Sequence, residues 1–192
     1  MASGTDGNII SYDASGNPVA IATGNDGQVL TSTGAGSPPA FETLSAGKVL
    51  QVVQGTKTNQ FETTSTSLVE VTGLSATITP SASSSKILLM ASTSAIHIAT
   101  TSAGGSFLIK FYKNHSSISV TAVGDEYQVA KSRQDGSYTQ EAGGGGTAMY
   151  LDSPSTTEAI TYNLYARITN GYGGRVGQEA HGSTITLMEI GA

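Results

Sequence analysis

The amino-acid sequence predicts an all-β protein, with a jelly-roll-like β-sandwich head preceded by an extended N-terminal arm of two 20-residue repeats. Three observations support this fold class. Apolar and polar residues alternate in segment after segment, and no segment has a helical period. Val, Ile and Thr are plentiful and alternate within the segments, and Gly and Ser, with 24 and 25 residues, are expected to form the loops between them. About eight or nine such segments follow one another at the spacing of a β-sandwich.

The arm consists of two consecutive copies of one sequence motif. Gly4–Ser11 returns as Gly24–Thr31, and Gly16–Ile21 returns as Gly36–Phe41, in both cases 20 residues later. Each copy offers few apolar residues, too few for a core of its own. The arm, residues 1–46, is therefore predicted to pack on a partner or on identical arms. Its candidate anchoring and oligomerisation residues are Ile9, Ile10, Ile21, Val29, Leu30 and Phe41.

The head, residues 47–192, is predicted to begin with a strand at Val49–Gln54 and a polar loop at Gly55–Asn59. Thr66–Thr79 alternates on either side of Gly73, where we expect a bulge or a bend. Lys86–Ala99 carries apolar residues on both faces. That pattern is typical of a strand buried on both sides, here by the sandwich and by another subunit.

The second half of the head contains the clearest alternation. Ser106–Lys113 places Phe107, Ile109 and Phe111 on one face, and a shorter strand is predicted at Ile118–Val123. Thr147–Asp152 and Ala159–Thr169 are further strands, the latter with one apolar and one polar face. The last strand is Ser183–Ile190, within which Glu189 would be costly unless it finds a hydrogen-bond donor.

Gly124–Gly146 is predicted to be an exposed loop apart from Tyr127–Ala130, because the rest of it has no periodicity. Aromatic faces beside planar hydrogen-bonding side chains are the groups that a glycan site uses. The alternative is that they are solvated loop residues. The candidate surface-binding residues are Asp125, Tyr127, Arg133, Asp135 and Tyr138.

Composition and motifs argue against several functional classes. The net charge is −5 and no basic patch is present, so no nucleic-acid partner is expected. The longest purely apolar run, Ile87–Met90, is too short for a membrane span, and no export signal precedes the arm. Cysteine is absent, and His97, His115 and His181 lack zinc-site spacing. No nucleotide loop or nucleophile elbow is found, so neither a cofactor nor enzymatic activity is expected.

The sequence of the repeats resembles that of repeats in tail-fibre and other virion-surface proteins of tailed bacteriophages. The resemblance rests on the Gly-x-Asp-Gly-x-Ile/Val-Ile/Leu-Ser/Thr motif of the arm. It continues through Ser85–Met90, Leu151–Pro154, Ile160–Tyr162 and Ser183–Ile190. It implies a virion protein made in the host bacterial cytoplasm. It also implies a homotrimeric jelly roll whose last strand runs near the threefold axis. The implied trimer-interface residues are Ile185, Leu187, Met188 and Ile190.

Two functions follow from this resemblance. The first is a capsid decoration or head-fibre protein, whose arm anchors it to the major capsid protein or to a tail protein. The second is a short tail fibre or tail tip that contacts a host surface glycan through Gly124–Gly146. We expect deletion of residues 1–45 to leave a folded head that no longer joins the particle.

Overall fold

A computed structural model describes residues 5–43, 47–94, 97–98, 105–131, 144–169, 173–177 and 182–191. The chain divides into two compact units, Met1–Ala46 and Gly47–Ala192. Every regular element of the described residues is a β-strand, and the paired strands are antiparallel. The predicted all-β fold class is therefore confirmed.

The first unit contains two β-hairpins. Strand β1 (Ile9–Tyr12) pairs with β2 (Pro18–Ile21), and β3 (Gln28–Thr31) pairs with β4 (Ala40–Thr43). The loop between β1 and β2 is closed by the Asp13 carboxylate. This group accepts hydrogen bonds from the backbone N–H groups of residues 15 and 17 at 2.8 and 2.9 Å. The expected extended arm is thus replaced, over residues 5–43, by two short hairpins.

The two hairpins do not share one register. Ile10 pairs with Ala20, so a 20-residue repeat would pair Leu30 with Ala40, but Leu30 pairs with Phe41 instead. Pro39 occupies the position of Val19 in the second copy and has no N–H to give to a ladder. Strand β4 therefore starts at Ala40, two residues later than the repeat would place it, and the two hairpins are not equivalent strand for strand.

The second unit is built from two four-stranded sheets with orders β11-β10-β13-β7 and β12-β8-β15-β5, and a small β6-β14-β9 sheet. Numbered along the chain, the eight strands of the large sheets follow the orders 2-7-4-5 and 1-8-3-6, which is a jelly roll. The strands are β5 (Val49–Lys57), β6 (Phe61–Thr63), β7 (Val69–Ile78), β8 (Lys86–Thr93), β9 (His97–Ile98), β10 (Ser106–His115), β11 (Ile118–Lys131), β12 (Gly146–Asp152), β13 (Ile160–Ile168), β14 (Gly174–Val176) and β15 (Ser183–Ile190).

The core lies between the two large sheets and is filled by every second residue of their strands. On β13 the side chains of residues 160, 162, 164, 166 and 168 are all fully buried. Phe107, Ile109 and Phe111 of β10 are buried in the same way. The predicted alternation is confirmed on both strands. The predicted irregularity at Gly73 is also confirmed: Gly73 has a φ of 86°, and the β7–β13 register shifts beside it.

Two predicted loops prove to be strand. Strand β5 continues to Lys57 instead of ending at Gln54, and β11 continues to Lys131 instead of ending at Val123. On β11 the chain passes an irregularity at Gly124, whose φ is 69°, and then resumes pairing with β10 at Tyr127. A glycine bulge lets a strand absorb extra residues without ending. The prediction of a loop is therefore wrong for residues 124–126 and 131, whereas the short segment Tyr127–Ala130, which that prediction excepts, is part of the strand.

Gly55 marks a close approach between β5 and β7, and it gives a stability prediction. A Cβ at this position would overlap the backbone carbonyl oxygen of Ser75, which cannot move aside as a side chain would. We expect Gly55→Ala to lower the free energy of unfolding by about 1–3 kcal/mol, the usual cost of overpacking. Gly144→Ala is the matched control, because no atom lies within 4 Å of its added Cβ. Urea unfolding at one protein concentration measures both, and an unchanged midpoint for Gly55→Ala would contradict the packing.

Candidate assembly surface

The last strand, β15, presents two different faces. Ile185 and Leu187 point into the core and are 0% exposed, whereas Met188 and Ile190 lie on the opposite face and are half-buried. A side chain buried in its own subunit cannot contact another one. The prediction that Ile185 and Leu187 line a trimer interface is therefore wrong. Successive side chains of a strand point to opposite faces, so these two residues point inward while Met188 and Ile190 point outward.

The outward side of sheet β12-β8-β15-β5, hereafter the apolar face, carries a row of apolar side chains. Val52 is paired with Met188, Met188 with Leu88, and Leu88 with Leu151, so one side chain from each strand joins the row. Val52 is 55% exposed and Leu151 is 48% exposed. The row therefore crosses the whole sheet, and its two ends are open to solvent.

The neighbouring rows of the apolar face become more polar with distance from the apolar row, but they remain uncharged. The next row contains Gln54, Thr186, Met90 and Met149, and Met149 is 56% exposed. The row after it contains four hydroxyl groups, from Thr56, Thr184, Ser92 and Thr147. No side chain in these three rows is charged. Charge depletion and methionine enrichment distinguish the centres of protein interfaces from ordinary surface.

Glu189 anchors β15 beneath this face. The side chain is fully buried, and its carboxylate accepts hydrogen bonds from Ser81 N at 2.7 Å, Ser81 Oγ at 2.6 Å and Gln51 Nε2 at 2.6 Å. The expected donors are thus present. The carboxylate connects β15 to β5 and to the turn after β7, so the apolar face rests on a fixed strand.

The same carboxylate predicts acid sensitivity. Burial raises the pKa of Glu189, but the hydrogen bonds led by those from Ser81 outweigh this and lower the pKa from 4.5 to about 2. A carboxylate with a depressed folded-state pKa contributes stability that is present above the unfolded value and lost as the pH falls toward 2. We expect Glu189→Gln to flatten the change in unfolding free energy between pH 5 and pH 2, measured by urea titration. An equally steep loss in this variant would contradict the assignment.

The arm has no interior of its own. None of the described residues 5–43 is buried, and Ile9, Ile10 and Leu30 are exposed, Ile10 by 59%. Ile21, Val29 and Phe41 are half-buried. Phe41 lies over the backbone of Gly24, where an added Cβ would come within 2.6 Å of the ring. The six candidate anchoring residues thus remain accessible to a partner.

The candidate glycan-binding residues do not form an aromatic platform on β11. Asp125 is exposed, but Tyr127 packs edge-on against the buried ring of Phe111, with ring centroids 6.3 Å apart. The Tyr127 hydroxyl donates to the carbonyl oxygen of Met149 on β12. The prediction of Tyr127 as a surface-binding residue is therefore wrong. Arg133, Asp135 and Tyr138 lie outside the described residues.

The described part of the chain contains no group of three or more His, Cys, Asp or Glu side chains placed to hold a metal ion. None of its elements is a helix long and apolar enough to cross a membrane. His115 instead lies 2.9 Å from the Glu158 carboxylate, which also accepts hydrogen bonds from Ser116 and Ser117. This cluster ties the β10–β11 turn to the loop before β13.

Comparisons with known proteins give distant matches. No family model matches the chain, and no curated protein sequence matches it. The chain is similar to a solved structure of infectious bursal disease virus, Gx strain, at 14% identity and a TM-score of 0.37, over 90% of this chain and 46% of that one. It is also similar to the VP2 subviral particle of that virus, at 15% identity and a TM-score of 0.38, over 90% and 48%.

A third match is a Clostridium thermocellum endo-1,4-beta-D-xylanase 10B structure with CBM22-1 and GH10 modules, complexed with xylohexaose. There the identity is 12% and the TM-score 0.25, over 76% of this chain and 28% of that one. The chain spans about half the length of the two viral chains. At these values the alignments bear on neither assembly nor activity.

Proposed function

We propose that the protein is a structural component of a tailed-bacteriophage virion, a homotrimeric capsid decoration or head-fibre protein. Its head associates with two further copies through the apolar face, and its arm anchors the trimer to the major capsid protein. The observation that carries this proposal is the uncharged apolar row formed by Val52, Met188, Leu88 and Leu151. The phage assignment and the trimeric state come from the sequence resemblance.

The apolar face favours association because of its solvent exposure. Each Å² of apolar surface removed from water contributes about 25 cal/mol, and contiguous apolar patches beyond a few hundred Å² mark interaction sites on soluble proteins. The rows of the face are set by backbone pairing on four strands, so little ordering is required on association. Identical copies are the favoured partner because most soluble oligomers are homo-oligomers with closed symmetry, in which every subunit presents the same surfaces.

The arm supplies the second contact. Residues 5–43 bury no side chain, yet they carry apolar side chains such as Ile10 and Leu30. A segment that cannot bury its apolar residues alone gains stability by packing on another surface. In the proposed particle that surface belongs to the capsid, and the protein is made in the host cytoplasm before it is incorporated.

The alternative is a tail-fibre tip that binds a host glycan through Gly124–Gly146. The aromatic residue of this loop that the structure describes is engaged elsewhere, because Tyr127 packs edge-on against Phe111 and donates to the carbonyl oxygen of Met149. The decoration role is therefore preferred.

Immunogold labelling of intact particles tests the proposed function. An antibody against the full-length protein is expected to label the head surface at many sites. Label confined to the tail would assign the protein to a fibre or tail tip. Particles that carry no label, with the protein detected only in the lysate, would overturn the virion role altogether.

A further inference from the structure

The second large sheet has an outward side of quite different chemistry, hereafter the polar face. Strands β10 and β13 lie at its centre, and their alternate residues point away from the core. The side chains at its centre are Lys110, Tyr112, Asn114, Asn163, Tyr165 and Arg167, all half-buried. This surface is separate from the apolar face, since the core lies between the two sheets.

Two tyrosines form the middle of the polar face. The rings of Tyr112 and Tyr165 stack with centroids 4.1 Å apart and an interplanar angle of 33°. Lys110 lies directly across from Tyr165, and Asn163 lies directly across from Tyr112. Each ring therefore has a hydrogen-bonding side chain beside it. Tyrosine offers a large, rigid contact area and loses little conformational entropy on binding.

The polar groups around the tyrosines are held in place before any ligand binds. Asn163 Nδ2 donates to Asn114 Oδ1 at 3.2 Å, which fixes both amide planes. Arg167 donates to Glu126 Oε2 through Nε at 2.9 Å, and its Nη2 lies 2.8 Å from the same oxygen. Groups fixed on strands keep their geometry better than groups on loops.

The charges at the centre of the polar face balance. Lys110 and Arg167 are offset by Glu126 and by Glu70, which lies across from Tyr165 on β7, and Lys131 lies at the edge of the sheet. A centre without net charge does not favour a nucleic acid, an acidic polymer or an anionic membrane surface. It suits a ligand that presents neutral hydroxyl groups together with apolar C–H surface.

We propose that the polar face binds a neutral oligosaccharide. The C–H faces of the sugar rings pack on Tyr112 and Tyr165, and the hydroxyl groups exchange hydrogen bonds with Asn163, Asn114 and Lys110. This inference does not rest on the virion role. Because it uses the sheet opposite the assembly surface, the two proposals can fail separately.

The test is direct binding by the full-length protein. An array of neutral and acidic oligosaccharides is screened first, and the strongest neutral ligand is then titrated by calorimetry. We expect Tyr165→Ala to weaken its binding by about tenfold or more, as is typical when a central aromatic contact is removed. Tyr12→Ala is the matched control, because Tyr12 is 65% exposed on the arm, and it is expected to bind like the wild type.

A second variant keeps the proposal testable if Tyr165→Ala fails to fold. Asn163→Ala retains both rings and is expected to weaken binding as well. The proposal is overturned if no neutral oligosaccharide binds, if only acidic ones bind, or if both variants bind like the wild type. Loss of particle incorporation in Tyr165→Ala, without sugar binding by the wild type, would make the polar face a protein contact and would also overturn it.

Discussion

Met188→Glu is expected to leave a folded head that no longer associates. Met188 lies in the middle of the apolar row, between Val52 on β5 and Leu88 on β8. A carboxylate there would be buried without a partner, and such a charge costs on the order of 3 kcal/mol or more, roughly a hundredfold or more in the association constant. In the monomer the same side chain reaches water, so the fold tolerates it. Sedimentation velocity and circular dichroism measure the two properties separately.

Val120→Glu is the matched control for this prediction. Val120 is an exposed apolar residue, 52% accessible, on β11 of the other sheet. The substitution adds the same charge to the same class of side chain but outside the apolar face, so the variant is expected to associate like the wild type. If both variants associate normally, the apolar face is not the contact. If both become monomeric, the effect comes from net charge and not from the location.

Asp152→Ala is expected to cause the largest loss of stability within one subunit. The Asp152 carboxylate lies 2.7 Å from Lys113 Nζ and accepts a 2.7 Å hydrogen bond from the Tyr162 hydroxyl. Burial, followed by the hydrogen bond to Asp152, raises the pKa of Tyr162. Removing the carboxylate leaves a charged amine and a hydroxyl unpaired between β10, β12 and β13. Such a loss typically costs about 3–5 kcal/mol, measured by urea unfolding at one protein concentration.

Two further variants identify the cause of that loss. Glu62→Ala removes one partner of an ion pair with Arg175 whose side chains are 47% and 37% exposed, so it is expected to cost less than about 1 kcal/mol. The double variant Asp152→Leu with Lys113→Met is expected to recover most of the stability, because neither charge is then left unpaired. A double variant no more stable than Asp152→Ala would contradict the ion-pair explanation.

The strands of the core could be predicted because their alternating pattern identifies both the strand and the face that is buried. On β13 the buried residues from Ile160 to Ile168 strictly alternate with polar ones, and on β10 the buried Phe107, Ile109 and Phe111 alternate with half-buried residues. The extra length of β11 could not be predicted. It depends on Gly124 absorbing an irregularity, and the hydrogen bonds that continue the strand come from β10, a distant part of the sequence.

The assembly surface could be predicted only in part. Residues on both faces of β15 are apolar, so the sequence offers no way to decide whether Leu187 or Met188 points outward. That choice is made by the core of the opposite sheet. The row that joins Met188 to Val52, Leu88 and Leu151 depends on four strands in register, and all four are far apart in sequence.

The buried ion pair was missed, although the sequence carries a signal for it. Lys113 continues the inward series Phe107, Ile109 and Phe111, so strict alternation places a charge in the core at the end of β10. An inward lysine requires a buried acceptor. Asp152, at the end of β12, is a buried acid that could have been named as a candidate.

The oligomeric state of the full-length protein in solution tests the central claim most directly. Sedimentation equilibrium over a range of concentrations is the measurement. The proposed assembly predicts three copies of the 19.5 kDa chain, with a mass that does not fall on moderate dilution. A single 19.5 kDa species at every concentration would show that the apolar face does not join copies of this chain, and would contradict the proposed trimer.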